Sequence, residues 1–522
     1  MRSPWLAAQH KAVLNMAVMD FHSAGHRRGV VAAPHAATAE VGRAILGEGG
    51  NALEAMGAMA ASIAAVYPHM NHIGGDGFWL IREPNKRVRA IMAAGPAGSL
   101  AKPELYREHE TIPSRGPLAA LTVPGAIGGP GQTPGVTAKS ITIGGTFPLT
   151  GPAATYAPIP AGMKAYFAYI NARRGPDGKR GVMGRQIIWK YYDDGYNTAN
   201  TAQLTRRLVE QDKVFATVGQ LGTEPVLASR AYMNQQKVPQ ALVFTGASYW
   251  GTQYKEFPWT TGWQPDYIAE GRLYGLHLKA NYRGKKIAIV YQNDDYGKDY
   301  LYGFRAALGK SYADANVVAQ EPVETTATSV AAQMIRIRAS GATVLAVFQL
   351  PRPSSTTIGT AKALGVDPEQ IYLNSVAAIK PIMDGLVAAL GAPYMNGVIT
   401  DLYSKDPADP RWANDAAMKQ YKTIIAKYGG GLNPNDGQVY IGAAKAEAFV
   451  QVLYRAGKNP TRASFMNALL SMNYPNKFLL PNIIQKSSKT DHFIVSQMQL
   501  HRYNSTSKLW VPSGKLIEGR PR

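Results

Sequence analysis

The sequence predicts an α/β protein built on parallel sheet, preceded by a smaller segment of different character. Three observations carry this. Beyond about residue 133, short β-branched or aromatic runs alternate with helical patterns of about ten to fifteen residues, the signature of βαβ units. The stretch Pro124-Gly125-Ala126-Ile127-Gly128-Gly129-Pro130-Gly131 interrupts any regular element and places a boundary near residue 132. A chain of 522 residues also exceeds what one hydrophobic core usually serves.

Taken in order, the segment before the boundary reads as two helices, Ala37 to Leu46 and Ala52 to Val66, then a hairpin, Phe78 to Arg82 with Arg87 to Met92. That is too little for a large autonomous core. After the boundary, strands are expected at Ile141 to Gly144, Gln186 to Tyr192, Val214 to Val218, Lys286 to Tyr291, Thr343 to Phe348 and Ile371 to Leu373. Helices are expected between them, among them Asn197 to Glu210 and Ile268 to Ala280.

Composition narrows the function. With 46% hydrophobic and 17% charged residues the chain reads as globular. Its longest apolar stretch, near Ala55 to Val66, falls short of the roughly 20 residues a membrane helix needs. No cysteine is present, which excludes disulfides, thiolate metal sites and a thiol nucleophile. The formal charge of +21 invites a nucleic-acid reading, but Lys and Arg are scattered with no basic run, so no nucleic acid is expected as a partner. Met1 to Gly25 includes His10, Lys11, Asp20 and His22, so no uninterrupted secretory core is visible.

The segment Gly135-Val136-Thr137-Ala138-Lys139-Ser140-Ile141-Thr142-Ile143-Gly144-Gly145-Thr146-Phe147-Pro148-Leu149-Thr150-Gly151-Pro152 is a strand ending in a Thr/Gly/Pro turn that leads to a helix. With Tyr191-Tyr192-Asp193-Asp194-Gly195-Tyr196, Val218-Gly219-Gln220-Leu221-Gly222-Thr223, Phe244-Thr245-Gly246-Ala247-Ser248, Gln292-Asn293-Asp294-Asp295-Tyr296-Gly297 and Gln497-Met498-Gln499-Leu500, it resembles the type I periplasmic solute-binding proteins of branched-chain amino acid ABC transporters. The resemblance runs from about residue 133 to the end. It implies two doubly wound lobes joined by a hinge, lobe 1 about 138–262 with 396–475 and lobe 2 about 263–395 with 476–517. It also implies a small-molecule ligand held between the lobes, a membrane permease as partner, and a periplasmic or cell-surface location.

The same resemblance nominates site residues. The ligand carboxylate would sit against the loops after the second and third strands of the first lobe, at Thr223 and at Gly246 with Ser248, where hydroxyls and free amides give short hydrogen bonds without burying a counter-charge. Tyr296 aligns with an aromatic residue of the second lobe, and Tyr156 falls where relatives carry a pocket tryptophan; such rings bury apolar ligand surface. Trp250 is a weaker aromatic nominee. Where amino-acid binders carry an acid for the ammonium group and a further tyrosine, this chain reads Val376 and Leu350. Burying an ammonium without a counter-charge costs several kcal/mol, so the expected ligand is an acid with an apolar or aromatic body, or an amide. Glu224 is the alternative amine partner. No cofactor and no metal are expected.

Three segments before the boundary, Arg28 to His35, Ile45 to Ala52 and Tyr67 to Phe78, resemble the start of γ-glutamyltransferases, covering about residues 28–129. Those enzymes use a threonine freed by self-cleavage. The nucleophile lies beyond the matched region, no Thr-Thr-His motif occurs, and the position near 94 expected to hold a substrate-binding arginine reads Ala94. Residues 1–130 therefore read as a truncated segment, and the chain as a binder with no catalytic residues; the alternatives left open are a γ-glutamyltransferase-like amidohydrolase and a ligand sensor not coupled to transport. The pairs His22 with His26 and His69 with His72 have helical spacing but lack a third ligand. The clusters Gly47 to Gly50 and Gly74 to Gly77 read as turns.

Overall fold

The computed structural model describes residues 22–26, 29–66, 77–82, 87–93 and 133–519. Two compact units meet at Gln132/Thr133. The Gly/Pro stretch at 124–131, Ala94, His69, His72 and most of the Gly74 to Gly77 cluster lie outside the described residues.

In the first unit, β1 (His22–His26) pairs antiparallel with β2 (Gly29–Ala33), and β3 (Gly77–Arg82) with β4 (Val88–Ala93). Two helices lie between these pairs, Ala36–Gly47 and Ala52–Val66. His35 caps the first through its ring nitrogen. Asn51 caps the second, and the Glu54 carboxylate accepts the Asn51 amide in return. Gly49, at φ 96°, makes the turn expected of the Gly47 to Gly50 cluster. Because His22 and His26 stand in an extended strand, four residues separate them by roughly 13 Å, and helical spacing does not apply.

The second unit contains two parallel-rich sheets. One has the order β6-β5-β7-β8-β9: β5 (Ser140–Phe147), β6 (Gln186–Asp193), β7 (Thr217–Val218), β8 (Gln240–Val243) and β9 (Thr260–Gly262), all parallel. The other has the order β11-β10-β12-β13-β14-β17-β18. Here β10 (Ile287–Gln292), β11 (Val317–Val323), β12 (Val344–Phe348), β13 (Gln370–Leu373) and β14 (Ile399–Leu402) are parallel. Two antiparallel strands complete it, β17 (Gln497–Asn504) and β18 (Leu509–Glu518). A small pair, β15 (Asn473–Pro475) and β16 (Ile484–Lys486), stands apart. Runs such as β10 and β12 are buried on both faces, which is why they are continuously apolar.

The chain passes between the lobes near 262/263, 402/403 and 495/496. The last two crossings come later than the sequence placed them. β14 is hydrogen-bonded between β13 and β17, which fixes it in the second lobe. Phe478, Leu480, Ile483 and Val495 pack into the core of the first lobe, where Phe493 bridges Gly262 of β9. That core is centred on the helices Pro158–Ala172 and Gly437–Ala456. They approach so closely that a Cβ on Gly162 would collide with the Val439 carbonyl, and one on Gly442 with the Ile159 carbonyl.

Candidate ligand-binding cleft

The two sheets direct the carboxyl ends of their parallel strands at a common cavity of about 130 Å³, the place where open α/β sheets hold ligands. From the first lobe come Tyr156, Tyr196, Leu221 to Thr223 after β7, and Phe244 after β8. From the second come Tyr296 after β10, Leu350 after β12, and Ser375 and Val376 after β13. Gln264, Tyr267 and Tyr403 enter from the crossings.

The helix Thr223–Gln235 begins at this cavity. Its cap position is Gly222 at φ 108°, and no side chain caps it. The Thr223 and Glu224 amides, Pro225 having none, and the positive end of the helix dipole thus lie at the cavity wall, an arrangement suited to an anion. Next to it, Thr223 Oγ1 and Thr245 Oγ1 share a hydrogen bond of 2.6 Å.

Five tyrosines line the cavity, Tyr156, Tyr196, Tyr267, Tyr296 and Tyr403. Burial drives the hydroxyls of Tyr156, Tyr196, Tyr296 and Tyr403 well above the usual tyrosine range, so they stay neutral donors and acceptors. Tyr156 Oη donates to the Val376 carbonyl at 2.8 Å, joining the two lobes across the cavity. Tyr267 stands edge-on to Tyr296, ring centroids 4.9 Å apart, and stacks on Tyr300 at 4.7 Å.

Behind the second-lobe wall lies a buried carboxylate. Glu270 accepts the Ser375 amide at 2.7 Å and the Ser375 hydroxyl at 2.9 Å, and Tyr300 Oη donates to it at 2.7 Å. The Tyr274 hydroxyl lies 2.7 Å from both a Glu270 and an Asp401 oxygen. Burial, and then the proximity of Glu270, raises Asp401 well above the carboxylate range, so Asp401 keeps its proton.

The charged residues of the lining are Lys380, Lys405, Asp406 and Asp436. Lys380 pairs with Asp384 at 3.0 Å, and Lys405 with Asp415 at 2.8 Å. Asp436 caps the helix Gly437–Ala456 through the Gln438 amide. Asp406 accepts the Ala408 amide at 2.9 Å, and burial raises its carboxyl.

The structure therefore brings together Tyr156, Thr223, Tyr296, Leu350 and Val376 at one cavity. Gly246 and Ser248 are not part of its lining. The Gly246 carbonyl accepts the Tyr267 amide, and the space where a Gly246 Cβ would stand is filled by the Pro265 carbonyl and the Tyr267 ring. Ser248 spends its amide and hydroxyl on Asp299 of the second lobe, at 2.7 and 3.1 Å. The loops concerned follow β7 and β8, the third and fourth strands of the lobe in chain order. Trp250 is buried in the core beneath the Arg230 guanidinium, and Glu224 accepts the Asp295 amide at 3.3 Å; neither lines the cavity. Sequence reasoning missed Gln264, Tyr267, Tyr403 and Asp406. All four lie at lobe crossings, where no periodicity marks a side chain's direction. Tyr196 had a signal, since it closes the Asp193-Asp194-Gly195 turn.

Comparison with known proteins divides the chain at the same place. Residues 38–132 match the gamma-glutamyltranspeptidase family. Within that part the chain is 56% identical over 101 residues to the oxamate amidohydrolase proenzyme of Klebsiella pneumoniae, covering 19% of this chain and 19% of that protein. The chain thus spans about a fifth of the length of this relative. The second unit superposes on a branched-chain amino acid ABC transporter protein of Thermus thermophilus with bound valine, at TM-score 0.61 and 17% identity over 73% of this chain and 96% of that one. It superposes equally on a solute-binding protein of an ABC transporter from R. palustris in complex with 4-hydroxybenzoate, at TM-score 0.60 and 16% identity over 73% and 98%. The periplasmic binding protein profile matches residues 140–508, and with two lobes closing on one cavity the chain belongs to the periplasmic binding protein family.

Proposed function

We propose that this chain is the solute-binding component of an ABC uptake system, acting outside the cytoplasm and delivering a small organic acid with an apolar or aromatic body to a membrane permease. The reading is carried by the cavity itself: a ring of neutral tyrosines beside an uncapped helix N-terminus at Gly222 and Thr223. A carboxylate placed there gains amide donors, and the rings bury the body of the ligand. The likeness to a 4-hydroxybenzoate complex supports the same class. Binding works by closure, since contacts such as Tyr156 to Val376 exist only when the lobes meet, and a ligand that bridges them shifts the population toward the closed form. On this reading the chain acts as a binder and not an enzyme.

The test is thermal stabilisation and calorimetry of the full chain against a panel of small organic acids, amides and amino acids. Saturable binding of aromatic or branched acids is the expected result; no response across the panel would falsify the proposal. Asp406 in the lining favours a second reading, a zwitterion whose ammonium pairs with that carboxylate. Valine binding that Asp406→Asn abolishes, with 4-hydroxybenzoate inert, would establish it instead. The 56% identity of the first unit to an amidohydrolase supports a third, which a γ-glutamyl anilide assay with and without oxamate addresses directly.

A further inference from the structure

Two polar atoms of the cleft lining have no hydrogen-bond partner among the described residues. Gln264 and Tyr296 are each 2% exposed and line the cavity, and neither Gln264 Oε1 nor Tyr296 Oη has a hydrogen-bond partner. Buried polar groups are rarely left this way, because each unpaired one is a loss of stability. In the structure the Gln264 Nε2 donates to Tyr267 Oη at 3.1 Å, and the carbonyl oxygen is the open atom. Tyr267 is also the ring packed edge-on against Tyr296, so the three side chains form one continuous patch.

A carbonyl oxygen accepts and never donates. It cannot receive a ligand carboxylate, and a methyl group or ring C–H does not satisfy it. We propose that this patch reads a hydrogen-bond donor on the ligand, distinct from its carboxylate: a hydroxyl or N–H that donates to Gln264 Oε1, with the Tyr296 hydroxyl completing the contact. The inference rests on the organic-acid reading of the cleft and narrows it to hydroxy- or amino-substituted acids.

Calorimetry on the full chain tests this with matched probes: 4-hydroxybenzoate and 4-aminobenzoate against benzoate, 4-methylbenzoate and 4-methoxybenzoate, and 5-hydroxypentanoate against pentanoate. In one of these series the donor-bearing members should bind at least about tenfold more tightly than their partners. Gln264→Leu should bring the members of that series to similar affinity, with circular dichroism and the melting curve of the unliganded variant reporting that it is folded. Tyr296→Phe should reduce the preference several-fold. Equal affinity of donor-bearing and donor-free acids in the parent protein, or a preference that survives Gln264→Leu, overturns the donor inference and leaves the organic-acid reading standing. Failure of every acid to bind overturns both.

Discussion

Ser248 of the first lobe and Asp299 of the second are joined by two hydrogen bonds, amide to carboxylate at 2.7 Å and hydroxyl to carboxylate at 3.1 Å. Asp299 is half-buried where the lobes meet, and desolvation pushes its carboxyl up to about 6 despite both bonds. A group whose value is raised in the closed state favours that state when protonated. The gain is complete below the ordinary carboxylate value and is lost as pH rises through about 6. Ligand affinity should therefore strengthen by up to about tenfold between pH 7 and pH 5, if the open form titrates normally. Titration calorimetry across that range, with an acid ionised throughout, reads the effect, and Asp299→Asn should flatten it.

Tyr156→Phe removes the bond across the cleft to the Val376 carbonyl but keeps the ring. The expected cost is about 1 kcal/mol, a several-fold rise in Kd with little change in the melting temperature of the unliganded protein. A large loss of unliganded stability would mean that the bond serves folding and not closure.

Two glycines of similar helical setting should respond oppositely to alanine. Gly442→Ala drives a Cβ into the Ile159 carbonyl and should cost roughly 1–3 kcal/mol, read as a fall in the denaturation midpoint. At Gly385, exposed in the helix Lys380–Leu390, an added Cβ meets nothing, and Gly385→Ala should stabilise by up to about 1 kcal/mol.

Lys445 is fully buried, its Nζ 3.1 Å from the Leu242 carbonyl and 3.8 Å from the centre of the Phe244 ring. Burial lowers it well below the usual lysine value. The folded state then binds fewer protons than the unfolded chain below about pH 10, so stability should rise as pH increases from 7 toward 10. Melting curves should show that rise in the parent protein and a smaller one in Lys445→Met.

The elements were legible because their periodicity is strong: the expected strand Lys286 to Tyr291 is β10, Ile287–Gln292, and the expected helix Asn197 to Glu210 is Thr198–Glu210. Where Val214 to Val218 was expected to be a strand, only Thr217 and Val218 form one: the Val214 amide is still held by the Leu208 carbonyl of the preceding helix, although the Phe215 amide already reaches Thr142 of β5. The crossings were not legible. Ile399 to Leu402 and Phe478 to Ile483 are short segments that either lobe could bury, and long-range pairing alone assigns them. At the site, residues just past strand ends could be placed from motif spacing. Gly246 and Ser248 sit at such positions too, but Tyr267 and Asp299, distant in sequence, take up their polar groups.

Glu270 holds the Ser375 turn from behind with an amide bond and a hydroxyl bond, and Tyr300 and Tyr274 brace Glu270 in turn. That scaffolding reaches the cavity through Ser375 and through the Tyr300 ring stacked on Tyr267, while Leu350 and Val376 take no side-chain part in it. Replacing Leu350 or Val376 would redraw the outline of the chamber without loosening its frame. The shape of the chamber is thereby uncoupled from its support: a pair of aliphatic side chains sets the one and a bracing carboxylate the other.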